Sequence, residues 1–184
     1  ILAFAGFTLT LMIKYPVVAG REKVAFSFRN LLEPTSLPVT FNLLIINISY
    51  GGLVSFISLY AIKTGIGNTG IFFLIFAGGI ALARIYLGKI FDRHGPKELA
   101  IVGIFLLIAG NFILGIFISL AGFLIAAFLL GIGSGIVFPV FQAMVNNLAP
   151  THRRGAANST LFSGLDLGIG LGMLITGFLA GSIG

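Results

Sequence analysis

One carboxylate lies inside an otherwise apolar run: Asp166, eleven residues after Gly155. At 1.5 Å per helical residue that is about 16 Å along a helix, close to the middle of a ~30 Å hydrocarbon layer. A charge at that depth is costly, so it belongs on a bundle interior or a water-filled path. Two readings stay open. A titratable carboxylate there can carry protons across a membrane, or it can pack helices by hydrogen bonding to neighbouring hydroxyls and amides. Gly164, Gly168, Gly170 and Gly172 around it offer a face on which another helix can lie closely.

Other polar residues interrupt apolar runs. Asn42 and Asn47, with Ser49, Tyr50, Ser55 and Ser58 beyond them, can line a substrate path or bridge helices, where such bonds contribute only about 0.6–2 kcal/mol. Gly131, Gly133 and Gly135 followed by Pro139 mark a bendable stretch, a gating hinge or a close-packing face. Arg84 shares a helix face with Gly88, four residues on; it can snorkel to the surface, partner the charged turn that begins at Gly88, or pair with Asp166. No Ser-His-Asp arrangement or phosphate-binding loop stands out. His94 and His152 are far apart and cysteine is absent, so neither metal chemistry nor a disulfide framework is indicated. No cofactor and no catalytic residue is expected.

The elements that position these residues follow from composition. Of 184 residues 58% are hydrophobic and 9% charged, and the mean hydropathy is +1.12. A soluble domain carries about 25% charged residues, so the solvent of this chain is lipid. Five apolar stretches follow at about Pro38–Ile62, Gly70–Ile90, Leu99–Ile116, Leu120–Ala143 and Gly155–Ser182. Each is near the ~20 residues that cross a bilayer and must be helical, since lipid offers backbone groups no partner. The fold class is an all-α integral membrane bundle. Residues 1–13 are too short to span and read as the end of a truncated helix. Residues 14–37 form a polar connection in which Val24, Phe28, Leu31 and Leu32 suggest an interfacial amphipathic helix, with a plain linker the alternative. Residues 38–184 are the transmembrane bundle.

The net charge of +6 sits in short loops, which argues for membrane orientation and against nucleic acid. Loops 14–37, 88–98 and 149–154 hold nine basic residues, while the intervening loops hold only Lys63. The basic side is expected to be cytoplasmic.

One of these loops carries a motif, in which Gly88 is expected to let backbones approach closely and Gly95-Pro96 to break the helix and force a reversal. Gly88-Lys89-Ile90-Phe91-Asp92-Arg93-His94-Gly95-Pro96-Lys97 resembles the signature loop of major facilitator superfamily transporters, found between the second and third helices of each six-helix half. It departs at Glu98, where that family often has a further basic residue. The run from Phe162 to Gly172 resembles helix eleven of bacterial drug- and metabolite-exporter branches. The resemblance implies the end of helix six, the central loop and helices seven to eleven, an incomplete half of inverted three-helix repeats. It lacks the amino-terminal half of the same protein and the last helix.

The resemblance further implies a secondary-active exporter of small organic molecules in a bacterial cytoplasmic membrane, proton-coupled and working by alternating access. Its partners would be the bilayer, a small-molecule substrate and the amino-terminal half. Gly88, Asp92, Arg93, Gly95 and Lys97 would form a conformational latch. Asp166 would be the proton-coupling candidate, Asn42 and Asn47 would face the substrate cavity, and Gly131, Gly135 and Pro139 would form the hinge. A proton-coupled uptake symporter, a non-transporting receptor or scaffold, and a membrane enzyme are the alternatives.

Overall fold

The computed structural model describes Thr8, residues 32–66 and residues 69–183, with the backbone but not the side chains of 89–94 and 183. Residues 1–7 and 9–31, which hold most of the expected clipped helix and interfacial segment, lie outside the described residues.

After a 3-10 turn at Pro34–Ser36, helix α1 runs from Leu37 to Lys63. Pro38 in its first turn costs no hydrogen bond, because the N–H groups there have no helical acceptor. Lys63 in the last turn complements the negative end of the helix dipole. Gly65, at φ 69°, turns the chain away. Helix α2 (Thr69–Ile116) bends at Gly95, whose φ of 76° and ψ of 170° are non-helical. Pro96 follows and lacks an N–H. The expected Gly95–Pro96 reversal is therefore present, and the two arms, Thr69–Gly88 and Gly95–Ile116, are separate candidate spans. Helix α3 (Leu120–Leu148) starts at Ser119, whose Oγ accepts from the Gly122 N–H at 3.1 Å. Helix α4 (Arg154–Ile183) follows a 3-10 turn at Thr151–Arg153.

Among the described residues five helices are thus long and apolar enough to cross a membrane. The boundaries agree with the sequence reading except at α3, which continues to Leu148. Asn146 and Asn147, beyond the expected end of that span at Ala143, are helical.

The helices associate as two pairs, α1 with α4 and α2 with α3. Glycines set both seams. A Cβ on Gly164, Gly168 or Gly172 would collide with Thr40, Leu44 and Ile48 of α1 in turn, so these two helices run parallel with backbones touching. Gly170 faces open space and takes no part. In the other pair Gly131 meets Phe76 and Gly135 meets Ala83, whereas Gly133 meets Gly103 and Leu107, and Gly110 meets Leu130. The first arm of α2 therefore runs parallel to α3 and the second antiparallel. Over its most apolar stretch α3 is 56% buried, against 22% for either arm of α2, which makes it the central helix. Gly88, expected to allow close backbone approach, has nothing within 4 Å of where a Cβ would stand.

Two cores cap the bundle. One gathers Leu43, Leu99, Val140, Val145, Ala149 and Leu161, beside the face that carries Lys97, Arg153 and Arg154; this is the basic face. The other, at the opposite end, is aromatic: Phe72 lies 4.8 Å from Phe123 and 6.3 Å from Phe76 between ring centroids.

Candidate functional site

Between the two cores and the two helix pairs lies a cavity of about 900 Å³. All four helices line it, and its wall is mostly aliphatic and aromatic, with Tyr50, Phe76, Phe112 and Phe138 among the rings. Six polar side chains interrupt that wall: Asn47, Ser49, Tyr50, Arg84, Asn111 and Ser134. No acid is among the lining residues.

Local helix geometry disposes of some of these groups. The Asn47 amide donates to the Leu43 carbonyl and the Asn111 amide to the Leu107 carbonyl, each at 2.8 Å and one turn back. Ser49 Oγ donates to Asn111 Oδ1 at 3.3 Å, bridging α1 to the second arm of α2. Arg84 and Ser134 have neither a hydrogen bond nor an ion pair among the described residues. An apolar enclosure with a few fixed polar groups is the usual form of a small-molecule site. Among the described residues no group of acids, histidines or cysteines could hold a metal.

The sequence-derived candidates fall in several places. Asn47 is buried on the cavity wall. Asn42 is exposed and is not among the residues that line the cavity, and its amide donates to the Pro38 carbonyl at 2.9 Å. Gly131 and Gly135 pack against the first arm of α2, and α3 is one continuous helix through Pro139. Asp166 is exposed and does not line the cavity. Its position has a geometric reason. Residues two apart on a helix lie roughly 200° apart, and Gly164 and Gly168 both face α1, so Asp166 points away from that seam. The glycine face and the carboxylate, read together in sequence, are opposite faces of α4. Arg84 does not pair with Asp166 and instead lines the cavity. Of the signature loop, the side chains of Asp92 and Arg93 lie outside the described residues, Gly95 makes the turn, and Lys97 is exposed.

A second polar cluster lies at the basic face. Glu33 is 4% exposed, and Arg153 Nε approaches its Oε2 to 2.6 Å. That N–H is not aligned as a hydrogen bond, so the contact is charge against charge. Thr35 Oγ1 donates to Glu33 Oε1 at 2.9 Å, the Glu33 N–H donates to Thr160 Oγ1 at 2.9 Å, and Arg153 donates to the Leu32 carbonyl at 3.0 Å. The segment ahead of α1 is thereby fixed to the start of α4. Nearby, Asn158 donates to Asn146 Oδ1 at 2.7 Å and to the Arg154 carbonyl at 2.9 Å, joining α3 to α4. The long-range partnerships are not signalled by spacing: Glu33 and Thr160 are 127 residues apart. Asn111 was discoverable in principle, as a lone amide in an apolar run.

The sequence profile described as Major Facilitator Superfamily matches residues 39–184. An uncharacterized MFS-type transporter of Burkholderia mallei (strain SAVP1) is 28% identical over the whole chain, which covers 44% of that relative. An uncharacterized MFS-type transporter of Methanocaldococcus jannaschii is 28% identical over 146 residues, 76% of this chain and 38% of the relative. The chain thus spans less than half the length of these relatives. No solved structure matches it. With a matching profile over most of its length and a five-span helical bundle, the chain belongs to the Major Facilitator Superfamily.

Proposed function

We propose that this chain is most of the carboxy-terminal half of a proton-driven exporter of small organic molecules, working by alternating access. Membership of the family supports reading it as part of an integral membrane transporter and not as an enzyme. The observation that carries the finer reading is the cavity of about 900 Å³ between the two helix pairs. In alternating access a cavity near the midplane is exposed to each side in turn as two six-helix halves rock against each other, and in this reading the cavity is this half's share of that site. The basic face is taken as cytoplasmic on the charge of its loops. In this reading Gly88, Asp92, Arg93, Gly95 and Lys97 form the cytoplasmic latch.

Asp166 is the proton site in this reading. It lies outside the cavity wall, so proton and substrate occupy different faces of α4, and coupling runs through movement of that helix. The test uses the full-length protein in proteoliposomes with an imposed pH gradient. Asp166→Asn should abolish proton-driven flux, a loss of roughly 10-fold or more, while substrate exchange without a gradient continues. Unchanged proton-driven flux in a folded variant would make Asp166 a packing residue. Accumulation with the proton instead of against it would replace export with uptake symport.

A further inference from the structure

The substrate's charge can be read from the same cavity, and this step rests on the transport reading above. Arg84 stands on the wall fifteen residues after Thr69, about 22 Å along a helix that crosses a ~30 Å layer. A guanidinium does not lose its proton in a protein, so the cavity holds a permanent positive charge. No acid lines the cavity to balance it, and Arg84 has no hydrogen-bond or ion-pair partner among the described residues. Each asparagine amide uses one of its two N–H groups on a carbonyl of its own helix, and the Ser49 hydroxyl donates to Asn111. Among the described residues Arg84 is therefore the one charged donor on the wall open to a ligand, beside the neutral Ser134 and Tyr50 hydroxyls and one N–H of each asparagine amide.

Arg84 is exposed on this wall, and a cation there still repels organic cations and favours anions, more strongly beside apolar groups than in bulk water. The guanidinium fork also matches the two oxygens of a carboxylate. Around it the rings of Tyr50, Phe76, Phe112 and Phe138 suit an apolar body. We propose that this cavity selects organic monoanions, binding a carboxylate head on Arg84 and an apolar body against the aromatic wall. Snorkelling of Arg84 to the basic face makes the opposite prediction, since the cavity would then be indifferent to ligand charge.

The test uses the full-length protein in detergent and three probes of one body: 1-naphthaleneacetate, its primary amide, and 1-naphthaleneethylamine. Calorimetry should show the carboxylate bound to the wild type about 10-fold or more tighter than the amide, as charge-assisted bonds outweigh neutral ones, and the amine bound no better than the amide. Arg84→Gln should erase the preference for the carboxylate over the amide, and Arg84→Lys should keep part of it. Should Arg84→Gln not fold, Ser134→Asp gives an independent reading: an acid on the same wall should abolish carboxylate binding and admit the amine. The proposal is overturned if the wild type binds no carboxylate, if it binds amide or amine as tightly, or if Arg84→Gln and Ser134→Asp both keep the preference. Flux of the same probes in proteoliposomes separates the two readings. Arg84-dependent binding without flux sinks transport and leaves the anion site standing, whereas flux of the amine in place of the carboxylate does the reverse.

Discussion

The basic face and the cavity both hold strongly polar groups, yet they treat them oppositely. At the basic face Glu33 is held by Arg153 and Thr35, and Asn158 by Asn146. In the cavity Arg84 and Ser134 are left without partners among the described residues, on an apolar wall. Arg84 is exposed and Ser134 half-buried, so water can serve them until a ligand does, whereas a buried polar group must find its partner within the protein. The basic-face groups hold helix ends together, so their partners are parts of the protein. The cavity groups contribute nothing to that, and a bound molecule is the partner that would satisfy them. The contrast predicts that polar substitutions at the two sites change stability in opposite directions.

The largest effect is expected at Arg153. Arg153→Met leaves the Glu33 carboxylate, whose side chain is 5% exposed, buried without a cation. Removing one partner of a buried pair costs about 3–5 kcal/mol, with the lower end expected because the Arg153 side chain is 34% exposed and already partly screened. Glu33→Gln is milder, about 1–2 kcal/mol, since the guanidinium left behind can turn to water and an amide still accepts from Thr35. Equilibrium unfolding of the full-length protein in detergent should rank Arg153→Met below Glu33→Gln, and both below the wild type. The reverse order would mean that Glu33, not its partner, carries the contact.

Next comes the amide pair. Asn158→Ala removes the bonds to Asn146 and to the Arg154 carbonyl, and interhelical bonds in membranes average about 0.6 kcal/mol with a maximum near 1.7. A double-mutant cycle with Asn146→Ala should return a coupling in that range. A coupling of zero would show that the two amides are satisfied equally well apart.

How much of this was legible in the sequence depends on what each signal measures. Hydropathy measures depth, so the five spans were readable, and so was the Gly95–Pro96 reversal, which rests on local backbone chemistry. Hydropathy carries no azimuth for a helix with lipid on one side and apolar protein on the other. Asn42 and Asn47, five residues apart, therefore looked equivalent, although one is exposed and the other buried. Asp166 looked continuous with its glycines for the same reason. Gly164, Gly168 and Gly172 did announce a close seam through their four-residue spacing. Glu33 gave no sign, because its burial is made by residues more than a hundred positions away.

The smallest expected effect is the most informative about the contrast. Arg84→Gln in the unliganded protein removes a charge that has no partner among the described residues. Where a charge is paired, its loss is destabilising; where it is unpaired on an apolar wall, its loss relieves desolvation. Partial hydration of a cavity this open keeps that relief small, so the change should lie within about 0.5 kcal/mol of the wild type and on the stabilising side. Groups kept for a ligand commonly show this trade between stability and function. Unfolding without ligand and with saturating 1-naphthaleneacetate should separate the variants. Unliganded, Arg84→Gln should equal or exceed the wild type, and with ligand the order should invert, because only the wild type gains binding energy in its folded state. A clear loss of stability without ligand would give Arg84 a structural partner after all, and the cavity would then resemble the basic face.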